Sequence, residues 1–392
     1  MLKINDDLCT GCSLCSIICP EKAIDMEISE EGFAVPHVKK SLCNDCDKCN
    51  NSCPIMCESK INTESKEKKV YACQAVDKML LIEATAGGLF PVLATEVIRH
   101  GGVVYGAAYD STMKVVHKAA TSVEELKQFN GSKYVQSDIT NALVEIQDYL
   151  KAGKTVLFSG TPCQVDAAKT ISGTTDNGCL ITMDVICYGV PSPALFQAFI
   201  ATMEKRMKAK VIDFRFRDKH KYGWSHTTVI TYRDQNGQVF SETEPNYANI
   251  PYYKMFGYRD CYRKSCYYCK YNNLDRCSDI TTGNYWGIEN NSTAFKSNLG
   301  VSMAICNTEK GKTLLTDVKD KLILEEHTLE EVVLANDALI KGSTLPKRRE
   351  QIYKCFIKKG FEKTYNKYYA ETVYRKTRMR LSAFLQKVKQ VF

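Results

Sequence analysis

The stretch from Cys9 to Pro54 decides the fold, because it carries one cysteine pattern twice. It reads Cys9-x2-Cys12-x2-Cys15-x3-Cys19-Pro20 and then Cys43-x2-Cys46-x2-Cys49-x3-Cys53-Pro54. The alternatives are a disulfide scaffold and a zinc site. A zinc ion usually takes four ligands as two close pairs, which does not explain two complete runs of four. The pattern therefore predicts two iron–sulfur clusters.

The repeated run is the ligand pattern of a bacterial two-cluster ferredoxin. In that pattern the first three cysteines of each run hold one [4Fe-4S] cube, and the fourth crosses to the other cube. The predicted ligand sets are Cys9, Cys12, Cys15 and Cys53 for one cluster, and Cys43, Cys46, Cys49 and Cys19 for the other. Residues 1–60 are thus predicted to form a ferredoxin-like domain. So small a domain buries little apolar surface, and its clusters hold the fold.

The composition is that of a globular protein long enough for more than one domain. Of the 392 residues, 44% are hydrophobic and 25% are charged, which are ordinary values. No apolar run is long enough to span a bilayer, and no signal peptide pattern opens the chain. Because thiolates that hold iron must stay reduced, these features predict a cytoplasmic protein.

The rest of the chain divides by composition and periodicity. Residues 61–70 are polar and charged, which indicates a linker. From Tyr71 strand and helix patterns alternate, as in the strand Val103–Tyr109 and the helix Pro193–Met207. This predicts an α/β domain with a mixed sheet over 71–345, followed by a basic helical tail over 346–392. The predicted fold class is an α+β N-terminal two-[4Fe-4S] ferredoxin-like domain followed by that α/β domain.

Two loops of the α/β domain have the character of anion-binding sites. Gly87-Gly88, in Thr85-Ala86-Gly87-Gly88, stands where a helix should begin, so backbone N–H groups there can approach a phosphate; a plain helix cap is the alternative reading. Gly160-Thr161-Pro162-Cys163-Gln164 follows a strand, at the end where α/β sheets bind ligands. The sequence has neither a dinucleotide fingerprint nor a Walker loop, which argues against a nicotinamide or ATP enzyme.

Four of the eleven cysteines outside the two runs have suggestive positions. Cys163 and Cys187 each follow a strand, and Cys266 and Cys269 form a C-x2-C pair. Four such thiolates suit a third [4Fe-4S] cluster or a structural zinc. Cys261 and Cys277 flank the pair and are the alternative ligands, whereas Cys306 has the pattern of a buried core residue. Thiol catalysis is disfavoured, because neither His220 nor His226 lies in a motif that would make it a base.

In combination these motifs resemble the beta subunit family of coenzyme F420 hydrogenase and dehydrogenase. The resemblance runs from about Cys9 to about Ala304. It rests on the double cysteine run, Gly87-Gly88, Gly131-Ser132-Lys133-Tyr134-Val135, Gly160-Thr161-Pro162-Cys163-Gln164, Cys187-Tyr188-Gly189, Cys266-x2-Cys269 and Asp279-Ile280-Thr281-x-Gly283-x-x-Trp286-Gly287.

The resemblance implies an FAD enclosed in the α/β domain beside a third cluster. Its ligands would be Cys163, Cys187, Cys266 and Cys269, and the candidate flavin-binding residues are Gly87, Gly88, Lys133 and Thr161. An exposed surface lysine is the other reading of Lys133. Family members exchange a hydride with F420 or reduce tetrapyrroles, and many bacterial members are linked to polysaccharide synthesis.

The chain departs from the family pattern at two places. The family usually has Ser-Ser-Gly-Gly where this chain has Thr85-Ala86-Gly87-Gly88, so one hydroxyl is missing. It usually has Gly-Asp where this chain has Gly283-Asn284, so one carboxylate is missing. The missing hydroxyl removes one candidate contact to the flavin, and the missing carboxylate removes a charge near the expected site. Neither changes the expected fold.

The positive charge of the chain lies in its tail. Residues 347–392 contain 14 Lys and Arg against 3 Asp and Glu, a balance of +11, whereas the whole chain has a net charge of +8. The last part has apolar residues at helical spacing among basic ones. Such a helix can lie on the inner face of a membrane, bind an acidic partner or pack on its own protein. No nucleic-acid-binding motif accompanies the charge.

The leading hypothesis is an iron–sulfur flavoprotein oxidoreductase that works with a redox partner protein or ferredoxin and with a small-molecule two-electron substrate. Iron–sulfur clusters move single electrons, whereas a flavin handles one or two. No catalytic residue is assigned. One rival is an electron-transfer subunit that serves a partner enzyme, and a second is a zinc-holding interaction protein.

Overall fold

Two short helices and one hairpin carry the cysteine runs. In the computed structural model, α1 (Leu14–Ile18) and α2 (Lys48–Asn51) follow the start of each run, and β1 (Ile24–Ile28) pairs antiparallel with β2 (Ala34–Val38). The structure describes residues 1–57, 68–288, 292–295 and 298–370. The predicted α+β character of the ferredoxin-like domain is confirmed.

Strands and helices alternate through the larger part of the chain. The strands are β3 (Lys69–Ala75), β4 (Val103–Tyr109), β5 (Val115–Ala120), β6 (Val156–Gly160), β7 (Leu180–Val185), β8 (Lys210–Arg215), β9 (Thr228–Arg233), β10 (Val239–Glu244), β11 (Ile280–Asn284), β12 (Ser302–Cys306) and β13 (Leu322–His327). The helices are α3 (Lys78–Glu83), α4 (Leu89–Arg99), α5 (Thr140–Lys151), α6 (Pro162–Ser172), α7 (Pro193–Met207), α8 (Pro251–Gly257), α9 (Glu309–Asp317), α10 (Leu329–Ala335) and α11 (Arg349–Tyr368).

An eight-stranded mixed sheet organises the second domain, as predicted. Its strand order is β13-β3-β12-β11-β7-β6-β4-β5. The four strands β11, β7, β6 and β4 are parallel to their neighbours within that group, and antiparallel pairs extend the sheet on both sides. The carboxyl ends of parallel strands lie at one edge, so Thr161 after β6 and Cys187 after β7 come to the same side.

The predicted linker ends earlier than the sequence suggested. Residues 61–67 lie outside the described part of the chain, but Lys69 and Val70 begin strand β3, which hydrogen-bonds to β12 and β13. Val70 is buried and packs with Met303 and Leu339. The charged run before Val70 concealed the start of a strand whose partners lie more than 200 residues away.

A second, three-stranded antiparallel sheet has the order β10-β9-β8. It packs with α7 and α8 around an aromatic core in which Phe196, Phe199, Phe214 and Tyr252 are in ring contact. The sequence patterns over Val211–Arg217 and Thr227–Arg233 predict β8 and β9 but do not separate them from the main sheet. The separation matters because this layer forms one wall of the site described below.

The first half of the predicted tail is part of the folded body. Helix α11 packs on α7, and its residues Ile352, Tyr353 and Phe361 are buried in the same aromatic core. Residues 349–368 of the predicted tail therefore form a helix that packs on its own protein. The amphipathic stretch from Met379 to Val391 lies outside the described residues. Among the residues that are described, no helix is both long and apolar enough to cross a membrane.

Candidate metal and cofactor site

A large cavity opens where parallel strands β6 and β7 end. Its volume is about 720 Å³, within the range of small-molecule and cofactor sites, about 300–1,000 Å³. The ends of β6 and β7 contribute Gly160 and Val185 to the wall, and the loop before α4 contributes Gly88. Residues of the ferredoxin-like domain, Leu8, Thr10 and Ile55, close one side. The cavity is thus the place where the two domains and the sheet edge meet.

The cavity brings the predicted third cysteine set together. Cys163 lies in the first turn of α6, Cys187 follows β7, and Cys266 and Cys269 lie in and just after a short 3₁₀ helix, Lys264–Tyr268. All four line the cavity, and Cys187 interacts electrostatically with the other three thiols. The flanking cysteines behave differently: Cys261 and Cys277 are buried and do not belong to the wall.

The ferredoxin cysteines form two groups. Cys12 interacts electrostatically with Cys9 and Cys53, and Cys15 interacts with all three of these. The second set surrounds a smaller cavity of about 20 Å³, lined by Cys19, Cys43, Cys46 and Cys49. The fourth cysteine of each run therefore lies beside the first three cysteines of the other run.

The three groups of cysteines follow one another through the protein. Cys15 of the first set interacts electrostatically with Cys49 of the second. On its other side, Cys12 interacts with Cys163 of the third set. The first set thus lies between the outer ferredoxin site and the cavity.

Burial keeps these thiols protonated in the metal-free protein. Loss of hydration raises the pKa of Cys12 to about 12, that of Cys163 to about 11 and that of Cys266 to about 12. Metal ligation must therefore displace protons from these sulfurs. Across 1–57, 68–288, 292–295 and 298–370, no three His, Cys, Asp or Glu side chains form a group suited to one metal ion.

Arg263 joins the ferredoxin-like domain to the cavity. Its Nε donates to the backbone oxygen of Cys9 at 2.6 Å, and its Nη2 donates to the oxygen of Ala34 at 2.8 Å. The guanidinium also lies over the ring of Phe33 and is close enough to Cys163 to favour its thiolate. One buried cation therefore holds the first and third cysteine sets in a fixed relation.

Arg349 makes a second link between the ferredoxin-like domain and the rest of the protein. It lies in α11, the helix that the sequence assigned to the tail. Its side chain is only 1% exposed, and its two terminal nitrogens donate to the two carboxylate oxygens of Glu31. Such a bidentate pair fixes geometry as well as charge. Lys270 adds a third link by donating to the backbone oxygens of Pro54 and Cys57.

Comparison with protein families identifies the segment that contains the third cysteine set. Residues 153–332 match the family model for the C terminus of the coenzyme F420 hydrogenase/dehydrogenase beta subunit. Over these residues the chain is similar to that family. Residues 8–57 match the 4Fe-4S dicluster domain. Together the two matches support iron–sulfur clusters and an electron-transfer or oxidoreductase role.

Comparison with solved structures and with curated proteins adds little to the match with the F420 hydrogenase beta subunit family. A similar solved structure is a chain of the F420-reducing [NiFe] hydrogenase complex from Methanosarcina barkeri, with 18% identity and a TM-score of 0.44. The similarity covers 75% of this chain and 89% of that chain. No curated protein matches the sequence.

The glycine loop lies before the segment matched to the F420 hydrogenase beta subunit family, and its two glycines have different surroundings. Gly88, with φ of +80°, lines the cavity and caps helix α4. Gly87 does not line the cavity; its N–H donates to Ser302 Oγ at 2.9 Å. A Cβ at Gly87 would stand 2.1 Å from the backbone oxygen of Cys73. Gly87 therefore allows close packing of the loop, and Gly88 presents backbone to the cavity.

Thr85 connects this loop with the Gly131-Ser132-Lys133 loop. Its Oγ1 accepts hydrogen bonds from Ser132 N at 2.8 Å and Ser132 Oγ at 3.0 Å. A threonine at this position of the family pattern thus still supplies a hydroxyl. Lys219 holds the loop from the other side, since its buried Nζ donates to the oxygens of Ala86, Leu81 and Leu299. Burial lowers the pKa of Lys219 to about 7.

Lys133 lines the cavity and is not a surface lysine. Its Nζ donates to the backbone oxygens of Gln128 and Asn130, and it lies 5.6 Å from the centroid of the Tyr109 ring. Burial lowers the pKa of Lys133 to about 7. Thr161 also lines the cavity, where it forms the capping box of α6 with Gln164.

Several cavity residues were missed by sequence reasoning. His226, passed over for want of a motif, lines the cavity and stacks on Trp286. His117 lies in the wall between Ser137 and the backbone oxygen of Ser159. Burial lowers the pKa of both histidines to about 4. Arg217 belongs to no motif, and only the neighbouring Trp286, in the quoted Trp-Gly motif, signalled this region.

Proposed function

We propose that the protein is an iron–sulfur flavoprotein oxidoreductase. Electrons would pass between the two ferredoxin-type clusters, a third cluster at Cys163, Cys187, Cys266 and Cys269, and FAD in the cavity. A hydride would be exchanged with F420 or another two-electron substrate, and a role in polysaccharide biosynthesis is one context for that chemistry. The match with the F420 hydrogenase beta subunit family supports this class of reaction.

One observation carries the proposal. The third cysteine set stands in the wall of a cofactor-sized cavity, and Cys163 in that wall interacts electrostatically with Cys12 of the ferredoxin-like domain. A chain that only carried electrons to a partner would not need such a cavity beside its last cluster. The arrangement favours a converter between one-electron carriers and a two-electron reaction.

The chain's residues fit FAD as the group that would occupy part of the cavity. When bound, FAD would supply a centre that accepts one or two electrons. Gly88 and the start of the eleven-residue helix α4 offer backbone N–H groups to a phosphate, with Ser132 and Lys133 beside them. Among the described lining residues, five are Lys or Arg and none is Asp or Glu, which suits an anionic cofactor. The lining side chains would exclude water from the bound cofactor and orient it.

The alternative function is an electron-transfer subunit or module without substrate chemistry of its own. This alternative would use the same three cysteine sets as the leading proposal. It differs because no space for a substrate is needed beside the flavin. The ferredoxin-like domain exposes Cys46 and the neighbouring Asp45 at the outer site, where a redox partner protein would dock in either case.

The test is anaerobic reduction of the reconstituted, FAD-loaded protein with substoichiometric dithionite. The proposal predicts that the flavin absorbance bleaches together with the iron–sulfur absorbance, and that added F420 or another two-electron acceptor reoxidises the flavin. Reduction of the clusters with the flavin left oxidised would contradict it. Flavin reduction without turnover of any acceptor would favour the electron-transfer module.

The pKa of Lys133 predicts how FAD affinity depends on pH. With a pKa of about 7, the ammonium is mostly charged at pH 6 and mostly neutral at pH 8. If this cation binds the flavin diphosphate, FAD affinity should fall up to about tenfold between pH 6 and pH 8, because one charge is lost over that range. Equilibrium dialysis of FAD across that pH range measures the slope.

Two variants isolate the contribution of Lys133. Lys133→Arg keeps a permanent charge, so it should bind FAD at pH 8 as tightly as at pH 6. Lys133→Met has no charge at either pH, so its FAD affinity should also be independent of pH but should stay at the weaker value that the wild type has at pH 8. Lys219 has a similar pKa and holds the neighbouring loop, so a slope left in both variants would point to Lys219 as the next residue to replace. A full wild-type slope in Lys133→Met would show that Lys133 does not bind FAD.

A further inference from the structure

Arg217 is a buried cation with unused hydrogen-bond donors. Its side chain is 5% exposed and lines the cavity. Its Nε donates to the backbone oxygen of Ser225 at 3.0 Å. Among the described residues, no hydrogen bond or ion pair engages its two terminal nitrogens. A buried charge without a counter-charge is strongly unfavourable, so a ligand anion would complete this site.

The other four cations of the cavity wall are already engaged. Arg276 pairs with Asp184, and Lys133 donates to two backbone oxygens. Arg263 donates to backbone oxygens and to Gln136. Lys270 donates to Pro54 and Cys57. Arg217 therefore differs from them in leaving its planar pair of terminal donors for a ligand, in the geometry that suits a carboxylate or phosphate.

Flat side chains surround the free end of Arg217. The guanidinium carbon lies 5.2 Å from the ring centroid of Trp224 and 5.4 Å from that of Trp286. Trp286 remains 38% exposed and lines the cavity. His226 stacks on Trp286 with 15° between the ring planes, and its pKa of about 4 keeps it uncharged. The indole nitrogen of Trp224 is buried and has no hydrogen-bond partner among the described residues.

We propose that Arg217, with Trp286 and His226, forms the subsite that binds the anionic group of the two-electron substrate. The substrate would be a carboxylate- or phosphate-bearing molecule, with a flat part against the Trp286 and His226 rings. This rests on the proposed function, since it assigns the flavin diphosphate to Gly88, Ser132 and Lys133. Both ligands are anions, so the experiment must tell the flavin from the substrate.

The two tryptophans of the chain are Trp224 and Trp286, so the intrinsic fluorescence reports on this subsite. The FAD-loaded, cluster-reconstituted protein is titrated with inorganic phosphate and with glutarate at constant ionic strength, with chloride as the reference anion. Tryptophan emission and the unfolding midpoint are recorded. The FAD affinity and iron content of each variant are measured separately.

The proposal predicts saturable emission changes and a raised unfolding midpoint in the wild type. Arg217→Met should bind the probes at least tenfold more weakly, with FAD affinity and iron content unchanged. Arg217→Lys, which keeps the charge but not the planar fork, should fall between them. Lys221→Met is the matched control: Lys221 is exposed, lies over Tyr222 and is not in the cavity wall, so this variant should bind like the wild type.

Three outcomes would overturn the proposal. The first is probe binding in Arg217→Met that is as tight as in the wild type, and the second is failure of both probes to bind the FAD-loaded wild type. The third is a loss of FAD affinity in Arg217→Met, which would make Arg217 a cofactor ligand. A wild-type protein that takes up no FAD but binds the probes through Arg217 would count against the flavin function and support the anion subsite.

Discussion

Replacing Cys266 with serine should lower the iron content of the reconstituted protein from about twelve to about eight atoms per chain. The reason is that four-iron clusters need their thiolate ligands, and Cys266 lies with Cys163, Cys187 and Cys269 in the cavity wall. The two ferredoxin-type clusters should remain, because their ligands lie in the other domain. Iron and sulfide analysis, with electron paramagnetic resonance of the reduced protein, measures the loss.

The same variant should break the route to the flavin. Dithionite-reduced clusters should then reduce bound FAD far more slowly than in the wild type. The matched control is Cys277→Ala, since Cys277 is a buried cysteine eleven residues away that does not line the cavity. An iron content of about eight in Cys277→Ala, with about twelve in Cys266→Ser, would show that the third site uses the other cysteine.

Replacing Arg276 with methionine should destabilise the protein by about 3–5 kcal/mol, the usual effect of removing one partner from a buried ion pair. Arg276 and Asp184 are 3% and 0% exposed. The Arg276 Nε and Nη2 donate to the two carboxylate oxygens at 3.1 and 3.0 Å. The substitution would leave the Asp184 carboxylate buried without its counter-charge. Urea unfolding, followed by circular dichroism, measures the difference.

The double variant Asp184→Asn with Arg276→Met is the control for this pair. It removes both charges, so it should be more stable than Arg276→Met alone. If the single and double variants are equally unstable, packing of the arginine stem rather than the ion pair would explain the loss. Because Asp184 lies near the end of strand β7, next to the cavity, we also expect weaker FAD binding in Arg276→Met.

Elements with strong local signals could be predicted from the sequence. Strand β4 and helix α7 have the predicted bounds, because their apolar periodicity and the Ser192-Pro193 start of the helix are local features. The two cysteine runs predicted how their eight sulfurs group, since that pattern specifies the crossing of the fourth cysteine. Cys163, Cys187, Cys266 and Cys269 stood out by their positions, but the choice of a third cluster over zinc needed the family resemblance.

Features that depend on distant partners could not be predicted. Arg349 bonds to Glu31, 318 residues away in the chain. The local sequence around Arg349 therefore could not show that the start of the tail binds the ferredoxin-like domain. Lys219 supports the glycine loop from 133 residues away. Arg217 lies in no motif. It stands out only because the described part of the fold gives it no counter-charge, and no sequence pattern can show that.

Cofactor content tests the central claim most directly. The protein is purified and reconstituted without oxygen, and iron, sulfide and acid-released FAD are measured per chain. We predict about twelve irons, about twelve sulfides and about one FAD, which corresponds to three four-iron clusters and a flavin in the cavity. About eight irons without flavin would contradict the claim, leaving a two-cluster ferredoxin joined to a domain that binds something else.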